Sequence, residues 1–189
     1  MTIILGSGSR GRKMVLENIG LPFDVMSADI DEKSIRSDDP KKLTLALAHA
    51  KAEALIPRIA RSALLITADG VVLCNGEMRE KPIDEREATT FLKSYNRYPA
   101  DVITSVLVTN IANGRKAEGT DIARIWFHSI SDAVIRAYIA TRDPFEHSGG
   151  FDHMHQILAP YVKRIKGEKE SITGLPRSLT ISLIRKVVY

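Results

Sequence analysis

An aspartate and a lysine, Asp69 and Lys81, flank a hairpin signal in the segment LLITADGVVLCNGEMREKP, Leu64 to Pro82. An acid and a base held together in this way can manage a metal ion, a phosphate or a proton. The apolar run Ala63 to Ala68 stops at Asp69, and a second run, Val71 to Cys74, meets Asn75-Gly76. That dipeptide favours a type I′ turn, whose twist suits a tight antiparallel hairpin. Counting back from it pairs Cys74 with Glu77 and places Lys81 opposite Gly70, one residue from Asp69. An aspartate with an ordinary pKa near ~3.9 is a weak base, so proton abstraction by Asp69 requires a raised pKa or a metal-bound water. Lys81 is charged at neutral pH and can stabilise developing phosphoryl charge. The alternative is a surface salt bridge worth about 0 to 1 kcal/mol.

Three further clusters carry possible chemistry. In GSGSRGRK, Gly6 to Lys13, a glycine-serine loop opens a helix. Ser7, Ser9, Arg12 and Lys13 can there join the unpaired backbone N–H groups in holding phosphate oxygens. The glycine-lysine-serine of a Walker loop and the third glycine of a dinucleotide fingerprint are both missing, and an ordinary capped helix start stays open as the alternative. Asp31-Glu32 lies in an acidic loop, SADIDEKSIR. Such loops are commonly just solvated, but with Asp69 they would supply hard oxygen ligands for magnesium or manganese beside a polyphosphate. In SGGFDHMH, Ser148 to His155, two glycines precede Asp152, His153 and His155. The helical histidine spacing of a zinc site is lacking, so a glycine turn shaping a pocket wall is the expected use.

These residues need elements to position them. Thr2 to Leu5 reads as a buried strand, followed by a helix from about Gly11 to Ile19 that Gly20 stops. Asp39-Pro40 opens a second helix with Leu43, Ala46, Leu47, Ala50 and Ala54 at helical spacing and Lys51 at the margin of the stripe. Asp84 and Glu87 resemble a capping box, and Ile103 to Val108 and Ile122 to Phe127 read as strands joined through Asn113-Gly114. Ser131 caps a further helix. A helix is expected around Leu158 to Ile165, then a Gly174-Leu175-Pro176 turn and an amphipathic helix to the end. Interspersed hairpins and helices predict an α/β (mixed α+β) fold on an elongated mixed sheet.

The 189 residues suit one domain or two small lobes, and 44% hydrophobic content is enough to bury a core. The net charge of +4 is too mild for a nucleic-acid-coating surface, and aromatic content of 6% argues against a stacking platform. Cys74 is the lone cysteine, so an internal disulfide and a cysteine-rich zinc site are excluded and a reducing, cytoplasmic setting is expected. The initial apolar segment is too short for a signal peptide, and no run suggests a membrane span.

Taken in order, ILGSGSRGRK, DIDE, LALAHAKAEAL, TADGVV, EKP, GGF and GLP resemble the Maf (septum formation protein Maf-like) family of nucleoside triphosphate pyrophosphatases nearly end to end, with wording closer to its eukaryotic, plant-like branch. The resemblance implies a single Maf-like domain over residues 1–189, with a twisted mixed sheet flanked by helices and two lobes around a central cleft, as in inosine triphosphatase-like proteins. It further implies a homodimer that uses a divalent metal, magnesium or manganese, to hydrolyse a nucleoside triphosphate to the monophosphate and pyrophosphate. The substrate would be a canonical pyrimidine or a modified nucleotide. In that pattern Ser7, Arg12 and Lys13 hold phosphates, Glu32, Lys51 and Lys81 line the cleft, and Asp69 is base or metal ligand. The chain departs from the family at Arg10-Gly11, where proline and arginine are usual, at Gly70, where a threonine follows the aspartate, and at Met154, where many bacterial relatives carry glutamine. These departures motivate a competing expectation, a nucleotide-binding protein with weak catalysis.

Overall fold

β1 (Thr2–Leu5) shows how the sequence builds the fold: Ile3 and Leu5 enter one apolar cluster, while Ile4 enters another. A strand buried on both faces reads as an unbroken apolar run because successive side chains point to opposite layers. In the computed structural model, which describes residues 2–189, β1 pairs in parallel with β2 (Phe23–Val25) and with β3 (Ala63–Cys74). The remaining strands are β4 (Glu77–Arg79), β5 (Ala100–Asn110), β6 (Lys116–Phe127) and β7 (Val162–Lys166). They form one mixed seven-stranded sheet, ordered β2-β1-β3-β5-β6-β7 with β4 on β3. The helices are α1 (Arg10–Ile19), α2 (Pro40–Leu55), α3 (Glu85–Ser94), α4 (Asp132–Ala140), α5 (Lys169–Thr173) and α6 (Arg177–Val188). The mixed α/β architecture expected from the sequence is therefore present.

The chain divides into two compact units, one comprising residues up to Gly70 with Thr104–Asp121 and Thr173–Tyr189, the other Val71–Ile103 with Ile122–Ile172. In the first, Val15 and Leu16 of α1 and Leu183 and Val187 of α6 share a cluster with Ile3 and Leu5. Ala48, Ala52 and Leu55 of α2 pack in the cluster that contains Ile4. In the second unit, Tyr95, Phe127 and Phe151 form an aromatic trio with ring centroids 5.2 to 5.7 Å apart. The expected caps Asp39, Asp84 and Ser131 each accept a backbone N–H, Ser9 does the same for α1, and Gly20 ends α1 with φ 79°.

Two expectations need correction. β3 is one strand from Ala63 through Asp69 to Cys74. Its hairpin has the expected turn, with Asn75 and Gly76 both at positive φ and Cys74 opposite Glu77, yet the ladder ends at Val72 with Arg79. Lys81 is not paired opposite Gly70. After Arg79 the Glu80 carbonyl accepts the Gly149 N–H at 2.9 Å, and Pro82 has no N–H to continue a ladder. The segment Leu158 to Ile165 is a short 3-10 turn followed by β7, not a helix. β7 pairs antiparallel with β6 through a bulge, with Phe127 opposite Val162 and Trp126 opposite Arg164. The extra residue, Lys163, erases the two-residue alternation that would have marked a strand.

Candidate active site

The loop after β1 is set by close approach. A Cβ on Gly6 would stand 2.6 Å from Thr67 Cγ2 and 2.8 Å from Leu55 Cδ1, and its N–H donates to the Ile66 carbonyl at 2.8 Å. Only glycine brings the chain this near to β3. Ser7 follows, and its Oγ accepts from the Ser9 N–H at 3.2 Å and from Arg12 Nη1 at 3.1 Å. Arg12 Nε donates to the Gly174 carbonyl at 2.9 Å, so the Gly-Leu-Pro turn aims the guanidinium. Burial pulls the Arg12 pKa below its ordinary value, and attraction to Asp69 and Glu32 opposes that shift. Ser9 is less available than the sequence suggests, since its Oγ caps α1 at the Arg12 N–H, 3.4 Å away. Lys13, one residue beyond Arg12 on α1, is half-buried.

α2 supplies the centre of the cluster. Thr44, Ala48, Lys51 and Leu55 repeat at helical spacing on its buried face, and Lys51 is only 7% exposed. It lies within the stripe, not at its margin. Thr67 Oγ1 donates to the Ala48 carbonyl at 2.8 Å, which ties α2 to β3 one helical turn from Lys51. The Lys51 ammonium then bonds Asp69 Oδ2 and stands 2.9 Å from Glu32 Oε1. Asp69 is 8% exposed, while the Glu32 side chain, on a 3-10 turn, is open to solvent. A buried ammonium is tolerated only with good partners, and this one has two carboxylates.

The structure thus brings together Ser7, Arg12, Glu32, Lys51 and Asp69 within the first unit. Lys81 belongs to the second, where its exposed ammonium stands 3.6 Å from Glu146 Oε2. Sequence reasoning missed the Gly174 carbonyl and the Thr67 link; for the first, the GLP motif is the available signal, and for the second nothing marks the threonine. Gly11 has a local cause: a Cβ there would meet the Thr173 carbonyl oxygen at 2.7 Å.

Comparisons with known proteins place the whole chain among relatives. The 7-methyl-GTP pyrophosphatase of Dictyostelium discoideum is 44% identical over 98% of this chain and 96% of its own length. A dTTP/UTP pyrophosphatase of Alkaliphilus metalliredigens is 32% identical over 92% and 90%. A nucleoside triphosphate pyrophosphatase of Nostoc punctiforme is 30% identical over 98% and 93%. The family model described as Maf-like protein matches residues 2–187, and the chain belongs to that family.

Proposed function

We propose that this chain hydrolyses a nucleoside triphosphate to the monophosphate and pyrophosphate, with the Glu32–Lys51–Asp69 cluster as its chemical centre. The observation that carries the reading is the buried Lys51–Asp69 pair, with the exposed Glu32 carboxylate on the same ammonium, in the same unit as the Ser7–Arg12 pair. Solvated surface charges would not be buried in this way. Relatives at 44% and 32% identity are named as pyrophosphatases of triphosphates.

In this reading Ser7, Arg12 and Lys13 hold phosphate oxygens, helped by the N-terminus of α1. Ser9 keeps its capping bond and contributes backbone. Lys51 holds Asp69 and Glu32 in fixed positions. Asp69 orients a water toward the α-phosphorus and accepts its proton as the new P–O bond forms, while the bond to the β-phosphate oxygen breaks and pyrophosphate leaves. Lys81 retains its proposed role of stabilising phosphoryl charge. Asp69 Oδ2 and Glu32 Oε1 face the Lys51 ammonium, and the second oxygen of each carboxylate would be a hard donor of the kind that suits magnesium or manganese. Such an ion, when bound, supplies charge neutralisation on the phosphates.

For the base, we favour a methylated guanine nucleotide over a pyrimidine, because the relative named for 7-methyl-GTP is 44% identical and the one named for dTTP and UTP 32%. A cytoplasmic homodimer without nucleic-acid or membrane partners completes the reading; no helix among the described residues is long and apolar enough to cross a membrane. The test is pyrophosphate release from 7-methyl-GTP, GTP, UTP and dTTP, with magnesium, manganese or chelator. Metal-dependent release, greatest from 7-methyl-GTP, is expected. Release greatest from UTP would overturn the base assignment, and none from any substrate would overturn the activity.

A further inference from the structure

A second group of metal-binding side chains stands in the second unit, to which Lys81 also belongs. Asp143, His147 and Asp152 each offer a ligand atom, and these atoms all lie within 4.8 Å of one another. His147 Nε2 is 3.5 Å from Asp143 Oδ1. Two ligands on one zinc ion, each at about 2.0 to 2.2 Å, stand about 3.3 to 3.6 Å apart in tetrahedral geometry. The observed spacing is close to that before any ion draws the groups together.

The frame behind these ligands is fixed. The fully buried Tyr138 donates its hydroxyl hydrogen to Asp143 Oδ2 at 2.7 Å and accepts the Asp152 N–H at 2.8 Å. One phenol oxygen therefore pins both segments that carry the carboxylates, and it leaves Asp143 Oδ1 facing His147. This is the supporting arrangement that orients ligands in metal sites. Between the ligands, Gly149 and Gly150 both adopt positive φ, and a Cβ on Gly149 would meet Val72 Cγ2 at 2.7 Å and the Tyr95 hydroxyl at 2.8 Å. The chain cannot relax there without displacing packed atoms. A second imidazole adjoins the group. His153 is 7% exposed and holds Nδ1 4.0 Å from Asp152 Oδ1, beyond hydrogen-bond reach and outside the ligand group.

We propose that Asp143, His147 and Asp152 bind a divalent transition cation of the zinc class, which clips the 143–147 segment to Asp152 across the double-glycine turn. One imidazole with two carboxylates suits such an ion better than magnesium, which takes oxygen donors and retains its waters.

The probe is zinc alone, titrated into the purified full chain against a chromophoric chelator, without nucleotide. Five proteins are compared: wild type, His147→Gln, Asp143→Asn, Asp152→Asn and, as a control for the first unit, Asp69→Asn. His147, Asp143 and Asp152 side chains are 32%, 21% and 25% exposed, and the fold of each variant is checked by its metal-free melting temperature. Wild type and Asp69→Asn should each hold one tight equivalent, and folded variants at the three ligands should bind it at least ~100-fold more weakly. Equal zinc affinity in wild type and the His147 and Asp143 variants would overturn the proposal. So would loss of the tight equivalent in Asp69→Asn alone.

Discussion

Lys51 and Lys81 sit in different units and in opposite surroundings. Lys51 is 9% exposed in its side chain and bonded to Asp69, with Glu32 at 2.9 Å; Lys81 is 58% exposed and faces a single carboxylate at 3.6 Å. The first arrangement takes charges out of water, an expense of several kcal/mol per ion that only tight pairing offsets. The second leaves them solvated, where an ion pair contributes little. The second unit also buries a cation, Arg79, but its guanidinium packs over the Phe91 ring and bonds Glu77, and the unit buries hydroxyls as well: the Tyr95 hydroxyl donates to the Gly149 carbonyl at 2.7 Å, and the Tyr138 hydroxyl bonds Asp143. The buried cation of the first unit is thus held by two carboxylates, and that of the second by an aromatic ring and one carboxylate.

The comparison breaks most readily at Lys51. Replacing it with methionine strands the Asp69 carboxylate, and stability should fall by about 3 to 5 kcal/mol in urea unfolding. Adding Asp69→Asn should recover a large part of that loss, because the two changes share one interaction. A single variant as stable as wild type would show that the ammonium is not needed to hold the carboxylate.

Packing beside the phosphate loop gives a smaller effect. Gly11→Ala should cost about 1 to 3 kcal/mol, since its Cβ would press on the Thr173 backbone. An unchanged urea midpoint would mean that the Gly11 departure has no packing cause. In Lys81→Ala, by contrast, stability should change by less than about 1 kcal/mol while turnover falls roughly 10²-fold. Normal turnover would return Lys81 to a surface salt bridge with Glu146.

The hydroxyls of the second unit predict a pH dependence. Burial pushes the Tyr95 phenol above its ordinary value, and burial with the Asp143 bond does the same to Tyr138. The fold thus favours the protonated phenols, so their contribution is fully present below the unfolded value near ~10 and is lost as pH rises beyond it. Trp126, the one tryptophan, lies in this unit, so its fluorescence should report weakening as pH rises on the alkaline side. A transition as stable at pH 11 as at pH 8 would contradict this.

Much of the first unit's cluster was legible in sequence. Ser7, Arg12, Glu32 and Asp69 lie in short motifs whose chemistry is local, and the caps of α2, α3 and α4 could be read directly. Lys51 was half-legible: its position seven residues after Thr44 puts it on the buried face, but a lysine is not counted into an apolar stripe. Lys81 was misplaced because hairpin counting assumes that a ladder continues, and here a distant glycine turn takes the Glu80 carbonyl. β7 was hidden by a bulge. The Asp143–His147–Asp152 group escaped notice because two of its members precede the double-glycine motif, and only the fold around Tyr138 brings them to Asp152.

The central claim rests on Asp69. Its most direct test is the turnover number of Asp69→Asn with saturating 7-methyl-GTP and magnesium, with folding checked by the melting transition. Turnover reduced by roughly 10²- to 10⁴-fold, about 3 to 5 kcal/mol on the barrier, is predicted for a folded variant. A folded Asp69→Asn protein that releases pyrophosphate at the wild-type rate would contradict the account.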